Sequence, residues 1–174
     1  MAKTSNLREF QEAILLRLKE ATAKSGAVST SRLGVMIGSR RVLISLNQVI
    51  EVLPVPPMQD VPLTLPWFLG VANVRGNLYN ITDLAQFLGL PPTPKSMSNR
   101  IVLINSEITT QAAIVIDSLV GLRSVEAMKS KSKAKSKEAF FSKNSYEDVD
   151  GNEWLELDVE GLAQDKAFIQ PTIT

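Results

Sequence analysis

Leu7, Phe10, Ile14, Leu18 and Ala21 recur at spacings of three and four with charged residues between them, a pattern that predicts an amphipathic helix. Asn6 with Glu9 three residues on makes a capping-box start, and Gly26 marks a stop. Such a helix either packs on its own domain or docks on a partner. From Leu33 the period changes, and Leu33–Ile37, the turn 38–41 and Val42–Leu46 read as strand, turn, strand. The same pattern returns at Ile101–Ile104, 105–110 and Ala112–Ile116. Each copy is followed by a polar residue and spaced aliphatics: Asn47, Val49 and Val52 after the first, Asp117, Leu119 and Leu122 after the second. Two similar β-units predict a pair of small barrels, because closure removes exposed strand edges.

Between the two copies, Leu69–Val74 and Leu78–Thr82 read as a hairpin around Arg75-Gly76-Asn77, with Gly76 or Asn77 supplying the positive φ. Asp83 is placed to cap a short helix over Leu84–Leu88, with Gln86 at the third position and Gly89 as terminator. Five of the nine prolines fall between Pro54 and Pro66, which predicts an ordered loop because proline removes ladder donors. A second proline cluster, from Pro91 to Asn99, predicts a crossing between subdomains.

Five lysines alternate with small residues from Lys129 to Lys137, which reads as a solvated, mobile loop; nucleic-acid binding is the alternative, but no aromatic residue interleaves to stack bases. Asp148 fails as the start of a calcium loop, since Glu153 falls where the turn glycine belongs and Val159 where the bidentate glutamate belongs. Asp150-Gly151 instead predicts a turn into a strand over Glu153–Val159 with Leu155, Leu157 and Val159 on one face, and Leu162 and Phe168 closing the core.

Composition narrows the chemistry. The 174 residues suit one domain or two small subdomains, 44% hydrophobic, with a net charge of +1 that draws the protein toward neither nucleic acid nor an anionic membrane. The chain has no cysteine and no histidine, so disulfides, thiolate chemistry, imidazole metal ligands and a serine triad are excluded. No GxxxxGK, GxGxxG or GxSxG motif occurs. No apolar run approaches the ~18 residues needed to span a bilayer, which leads to the expectation of a cytoplasmic protein with no direct membrane insertion.

The residues Gly70-Val71-Ala72-Asn73-Val74-Arg75-Gly76, then Asp83-Leu84 and Leu88-Gly89, resemble the hallmark G-V-x-N-x-R-G…D-L…L-G of the CheW family of chemotaxis coupling proteins. Val49-Ile50-Glu51-Val52 is similar to the family's V-x-E element, and Val115 to Val120 to its V-D-x-V element. The resemblance covers residues 31–174, leaving 1–30 as an N-terminal helical extension, and its wording is most like the type IV pilus, twitching-motility branch. It implies a mainly β fold of two SH3-like five-stranded barrels with short helices, and a non-enzymatic adaptor without cofactor or metal. The implied partners are the cytoplasmic tip of a methyl-accepting chemoreceptor and a CheA-type histidine kinase, with the protein located at chemoreceptor arrays. Carried over by motif, Glu51, Gly70, Asn73, Arg75 and Gly76 belong to a partner-facing surface, and Asp117, Leu119 and Val120 lie near the groove between barrels. One departure is Asn80, which stands where the family's return strand usually carries proline.

From the residues alone, Arg75 is a solvated turn residue; from the resemblance, it pairs with Glu51 and presents its fork to a partner carboxylate. Two other function classes have distinct requirements. An enzyme needs carboxylates such as Asp60, Asp83 or Asp117 to converge in a pocket. A barrel binding another protein, a proline peptide or nucleic acid needs an aromatic platform from Trp67, Tyr79, Tyr146 and Trp154.

Overall fold

The computed structural model describes residues 31–131 and 145–172; the helix expected over Leu7–Ala21 and most of the lysine run lie outside them. Eleven strands are described: β1 (Ser31–Ile37), β2 (Arg40–Ser45), β3 (Val49–Pro54), β4 (Phe68–Val74), β5 (Asn77–Asp83), β6 (Arg100–Ile104), β7 (Ala112–Ile116), β8 (Ser118–Ser124), β9 (Lys129–Lys131), β10 (Ser145–Glu147) and β11 (Glu153–Glu156). Three short helices join them: α1 (Leu84–Phe87), α2 (Val159–Gln164) and α3 (Lys166–Ile169). The strands form a six-stranded sheet in the order β8-β1-β2-β11-β10-β9 and a five-stranded sheet in the order β3-β6-β7-β5-β4. The sixth strand is the start of the lysine run, which pairs antiparallel with β10, Lys129 opposite Glu147.

The two similar hairpins, β1–β2 and β6–β7, fall in different sheets, and after each one the chain changes sheet. After β2 a 3-10 turn, Leu46–Gln48, delivers β3 to the five-stranded sheet; after β7 the single residue Asp117 delivers β8 to the six-stranded one. Both crossings are anchored to the opposite unit. Asn105 donates its backbone N–H to the Gln48 carbonyl and its Nδ2 to the Asn47 carbonyl, each at 2.9 Å, and the Asp117 N–H donates to the Met36 carbonyl at 2.9 Å. The segment 91–99, where a crossing was expected, links α1 to β6. Its prolines mark backbone without ladder partners, which a return within one unit needs as much as a boundary does.

Exchange of strands gives the units a shared core. Leu33, Val35, Ile37, Val42 and Ile44 from the first hairpin meet Val102, Ile104, Ile114 and Ile116 from the second, with Leu84, Leu162 and Phe168 from the helices and Leu157 from the link after β11. The opposite faces of β6 and β7 supply Ile101, Leu103, Ala113 and Val115 to a smaller cluster with Ala72, Val74 and Ile81. Burial on both faces is why β6 and β7 read as unbroken apolar runs without polar alternation. Trp67, Phe87 and Phe168 stack edge to face at 5.4 and 5.6 Å, tying α1 and α3 to the loop before β4.

The strand expected to run to Val159 stops at Glu156. Asp158 accepts the Gly161 N–H at 3.1 Å and starts α2, so Val159 reaches the core from a helix. Within the strand it is Trp154 that is buried, packed against Gly34 with Arg123 over its ring at 5.7 Å. Its indole N–H donates to Asp148 at 2.9 Å, and the same carboxylate accepts the Asp150 and Asn152 backbone N–H groups, each at 2.9 Å. These bonds, the indole's first, lower the Asp148 pKa to about 2. Because the folded value lies below the unfolded one, the stabilisation is present above about pH 4 and lost as pH falls toward 2. Acid titration monitored by tryptophan fluorescence is expected to show a transition in that window that Asp148→Asn removes; an unchanged transition in the variant counts against the assignment.

Candidate partner-docking site

Strands β4 and β5 meet in a two-residue turn with both central residues left-handed, Arg75 at φ 53° and Gly76 at φ 85°. This geometry matches the twist of the flanking strands. Gly76 supplies the positive φ expected of Gly76 or Asn77, and Arg75 adds a second left-handed residue. The turn is held from within, as the Gly76 N–H donates to Asn73 Oδ1 at 2.9 Å.

Arg75 points at Glu51. Its Nη1 donates to Oε2 at 2.7 Å and its Nη2 to Oε1 at 2.5 Å, a bidentate fork. Glu51 comes from β3, where a bulge at Ile50 shifts the register and leaves the Ile50 side chain exposed. Since β3 and β4 are the outermost strands of the five-stranded sheet, the pair joins its two ends. Exposure is unequal: the Glu51 side chain is 13% exposed and the Arg75 side chain 65%. Glu51 serves as the seat, and the Arg75 side chain above it stays largely exposed.

The remaining site residues divide between surface and frame. Gly70 is buried under the Gln59 backbone, which exchanges two hydrogen bonds with Val71 at 2.8 and 2.9 Å. Gly70 therefore carries a structural constraint, since a side chain there would meet the Gln59 carbonyl. Asp117 sits at the crossing into β8, its carbonyl accepting Ser98 Oγ at 3.1 Å; Leu119 packs on the shared core, and Val120 is exposed. Asn80 donates its N–H to the Gln111 carbonyl at 2.8 Å, a bond that proline at this position lacks the N–H to make.

Of the three carboxylates weighed for catalysis, two share a cleft and one does not. Asp60 and Asp83 line one cleft, and Asp117 is not among its lining residues. Asp83 is buried without capping α1 through its side chain; its oxygens accept the Thr93 N–H at 2.9 Å and the Thr93 hydroxyl at 2.6 Å. It pins the second proline segment to the end of β5, a role that sequence reasoning missed although a hydroxyl between two prolines was the available signal. Thr93→Val is expected to destabilise the fold by about 1–3 kcal/mol in urea unfolding, because a buried acceptor loses its donor. Among the described residues no group of three or more His, Cys, Asp or Glu side chains could hold a metal, and no helix is long and apolar enough to cross a membrane. The four aromatics form no single platform: Trp67 packs on Phe87, Tyr79 on the smaller core cluster, and only Tyr146 and Trp154 are neighbours, opposite each other on the β10–β11 pair.

The family model of the CheW-like domain matches residues 32–167, which include every one of these residues. The chain belongs to this family. Among CheW-like relatives, Protein PilI of Pseudomonas aeruginosa is 35% identical over 95 residues, 55% of this chain and 53% of that protein. Chemotaxis protein CheV3 of Helicobacter pylori is 24% identical over 82 residues, 47% of this chain and 26% of that protein. The CheW-like chain thus matches about half the length of the first relative and a quarter of the second. Scaffolding protein TtCheW from Thermoanaerobacter tengcongensis shares the fold, with a TM-score of 0.63 at 16% identity over 74% of this chain and 88% of that one.

Proposed function

We propose that this protein is a non-enzymatic adaptor that couples the cytoplasmic tip of a methyl-accepting chemoreceptor to a CheA-type histidine kinase. The observation that carries the reading is the Arg75–Glu51 fork, an exposed guanidinium seated on a nearly covered carboxylate at a hairpin tip. Such an arrangement contributes little to folding when exposed, about 0–1 kcal/mol, and much to recognition of a partner carboxylate. Membership of the CheW-like family and likeness to a scaffolding protein and a chemotaxis protein support the same reading. Likeness to PilI favours an output in type IV pilus twitching or a related surface movement. The protein would lie on the cytoplasmic side of receptor arrays, held there by its partners.

Reconstitution tests this directly. Receptor, kinase and this protein from one cell are combined, and kinase autophosphorylation is measured with and without the adaptor. A ternary complex in which receptor control of the kinase requires this protein is the expected result. Absence of both complex and effect rules the proposal out.

A further inference from the structure

A groove of about 380 Å³ is lined by the end of β8, the segment that leads from it into β9, and the turn between β10 and β11. Leu122, Ala127, Met128 and Val149 are its apolar residues. Val149 lies in a turn whose other residues are Asp148, Asp150, Gly151 and Asn152, and at 89% exposure its side chain contributes almost nothing to its own fold. The polar lining is partly engaged already. Asp148 accepts the Trp154 indole N–H, and Arg123 holds its guanidinium over the Trp154 ring at 5.7 Å.

This groove adjoins the point where the chain enters the described fold. Ser31, the first residue of β1, pairs with Ser124, which lines the groove, and beyond Ser124 the chain turns through the 3-10 segment Val125–Ala127. Residues 1–30 precede that point and carry the stripe Leu7, Phe10, Ile14, Leu18 and Ala21, which predicts a helix with its stop at Gly26. The five peptide units from Gly26 to Ser31 span at most about 17 Å, so the C-terminal end of that helix is confined to the neighbourhood of the groove. A link this short gives one element an effective concentration at the other of roughly millimolar, so even a weak contact is filled. An isolated helix of about 15 residues is marginal in water, so its apolar stripe needs cover to persist.

Charge points the same way. Residues 1–30 carry five bases and three acids, a net +2, and Arg17, Lys19 and Lys24 fall in the half nearest the link. Residues 147–153 carry four acids and no base, and of these Asp150 and Glu153 are exposed. Exposed charges orient such a contact more than they hold it, which leaves the binding itself to the apolar stripe.

We infer that this groove seats the chain's own N-terminal helix, with Ile14, Leu18 and Ala21 over Leu122, Met128 and Val149 and the basic residues toward Asp150 and Glu153. The volume takes a few side chains and not a whole helix face, so the half of the stripe nearest the link fills it. The N-terminal segment is thereby assigned to its own domain and not to a partner. The contact is independent of the Arg75 fork and of the adaptor role built on it.

The chain has no cysteine, so Glu20→Cys, on the polar side of the stripe, provides a unique attachment point for a nitroxide on the whole 15N-labelled protein. Paramagnetic loss of amide signal is expected to be strongest over residues 122–128 and 148–151. Leu18→Asp in the helix and Val149→Lys in the turn each replace an aliphatic contact with a repelled charge, and each is expected to abolish that loss. Val149 is exposed, so Val149→Lys is expected to keep the amide shifts of β6 and β7. Arg75→Ala is expected to keep the wild-type pattern of signal loss, which separates this contact from the fork. A mixture of nitroxide-bearing protein at natural isotope abundance with 15N-labelled protein lacking the nitroxide is expected to show no loss, because the contact lies within one chain. Loss strongest on another face, loss that persists in Leu18→Asp or Val149→Lys, or loss in the mixture, which would place a second copy in the groove, would each overturn the inference.

Discussion

Gly70→Ala is expected to destabilise the protein by about 4 kcal/mol, a large part of the 5–15 kcal/mol that holds an ordinary domain. Two independent effects combine. Gly70 has φ 138°, a conformation that side chains rarely adopt, and forcing alanine into it costs about 1–3 kcal/mol. A Cβ at this position also collides with the Gln59 carbonyl oxygen, the atom that accepts the Val71 N–H, so relief of the clash breaks the bridge between the proline loop and β4. Overpacking of this kind adds about 1–3 kcal/mol. Because β4 is an outermost strand covered by that loop, hydrogen exchange at Val71 and Gln59 is expected to accelerate more than exchange at Ile114 in the sheet centre. A shift in unfolding free energy below 1 kcal/mol would show that the loop yields freely and that the close approach is not a constraint.

Arg75→Ala has the opposite profile. Its unfolding free energy is expected to stay within about 1 kcal/mol of wild type, since the side chain is largely exposed and the ion pair well screened. Affinity for the receptor tip is expected to fall about 30-fold, the loss usual for an arginine anchor at an interface centre. Arg75→Lys separates charge from geometry: the ammonium keeps the charge but cannot make two parallel bonds to Glu51, so it is expected to recover little of the loss. Glu51→Gln tests the seat, because the guanidinium then loses its charged partner while still being present. Titration of each variant against a receptor fragment by calorimetry, beside urea unfolding, provides both readouts. Wild-type affinity in Arg75→Ala, or unfolding of that variant, would remove the fork from the docking surface.

The two substitutions lie within one motif, and their contrast shows how far a motif can be read. Gly70 and Arg75 stand five residues apart in the same stretch, and the resemblance assigned both to one surface. The structure divides them, Gly70 beneath a loop that follows β3 and Arg75 above a bulge within β3. Neither neighbour is local in sequence: Gln59 is eleven residues from Gly70, and Glu51 is 24 residues from Arg75. A glycine motif reports that the backbone needs freedom without reporting what approaches it.

Local features were legible wherever the chain's own periodicity carried them. The hairpins at β1–β2 and β6–β7, the turn at Arg75-Gly76, and the inward set of Leu162 and Phe168 all follow from apolar spacing and turn chemistry, which act over a few residues. The motif also led to the Glu51–Arg75 pair, which the structure contains. What only the tertiary structure decided involves competition between distant partners. β3 and β8 each leave their own hairpin for the other sheet, because the apolar faces of β6 and β7 need cover on both sides and no one unit supplies it. The final strand gave way after Glu156 to a helix capped by Asp158, and Asp83 left its helix to hold Thr93. In each case a side chain or strand had a local option and a distant one, and packing the shared core selected the distant one or ended the local one.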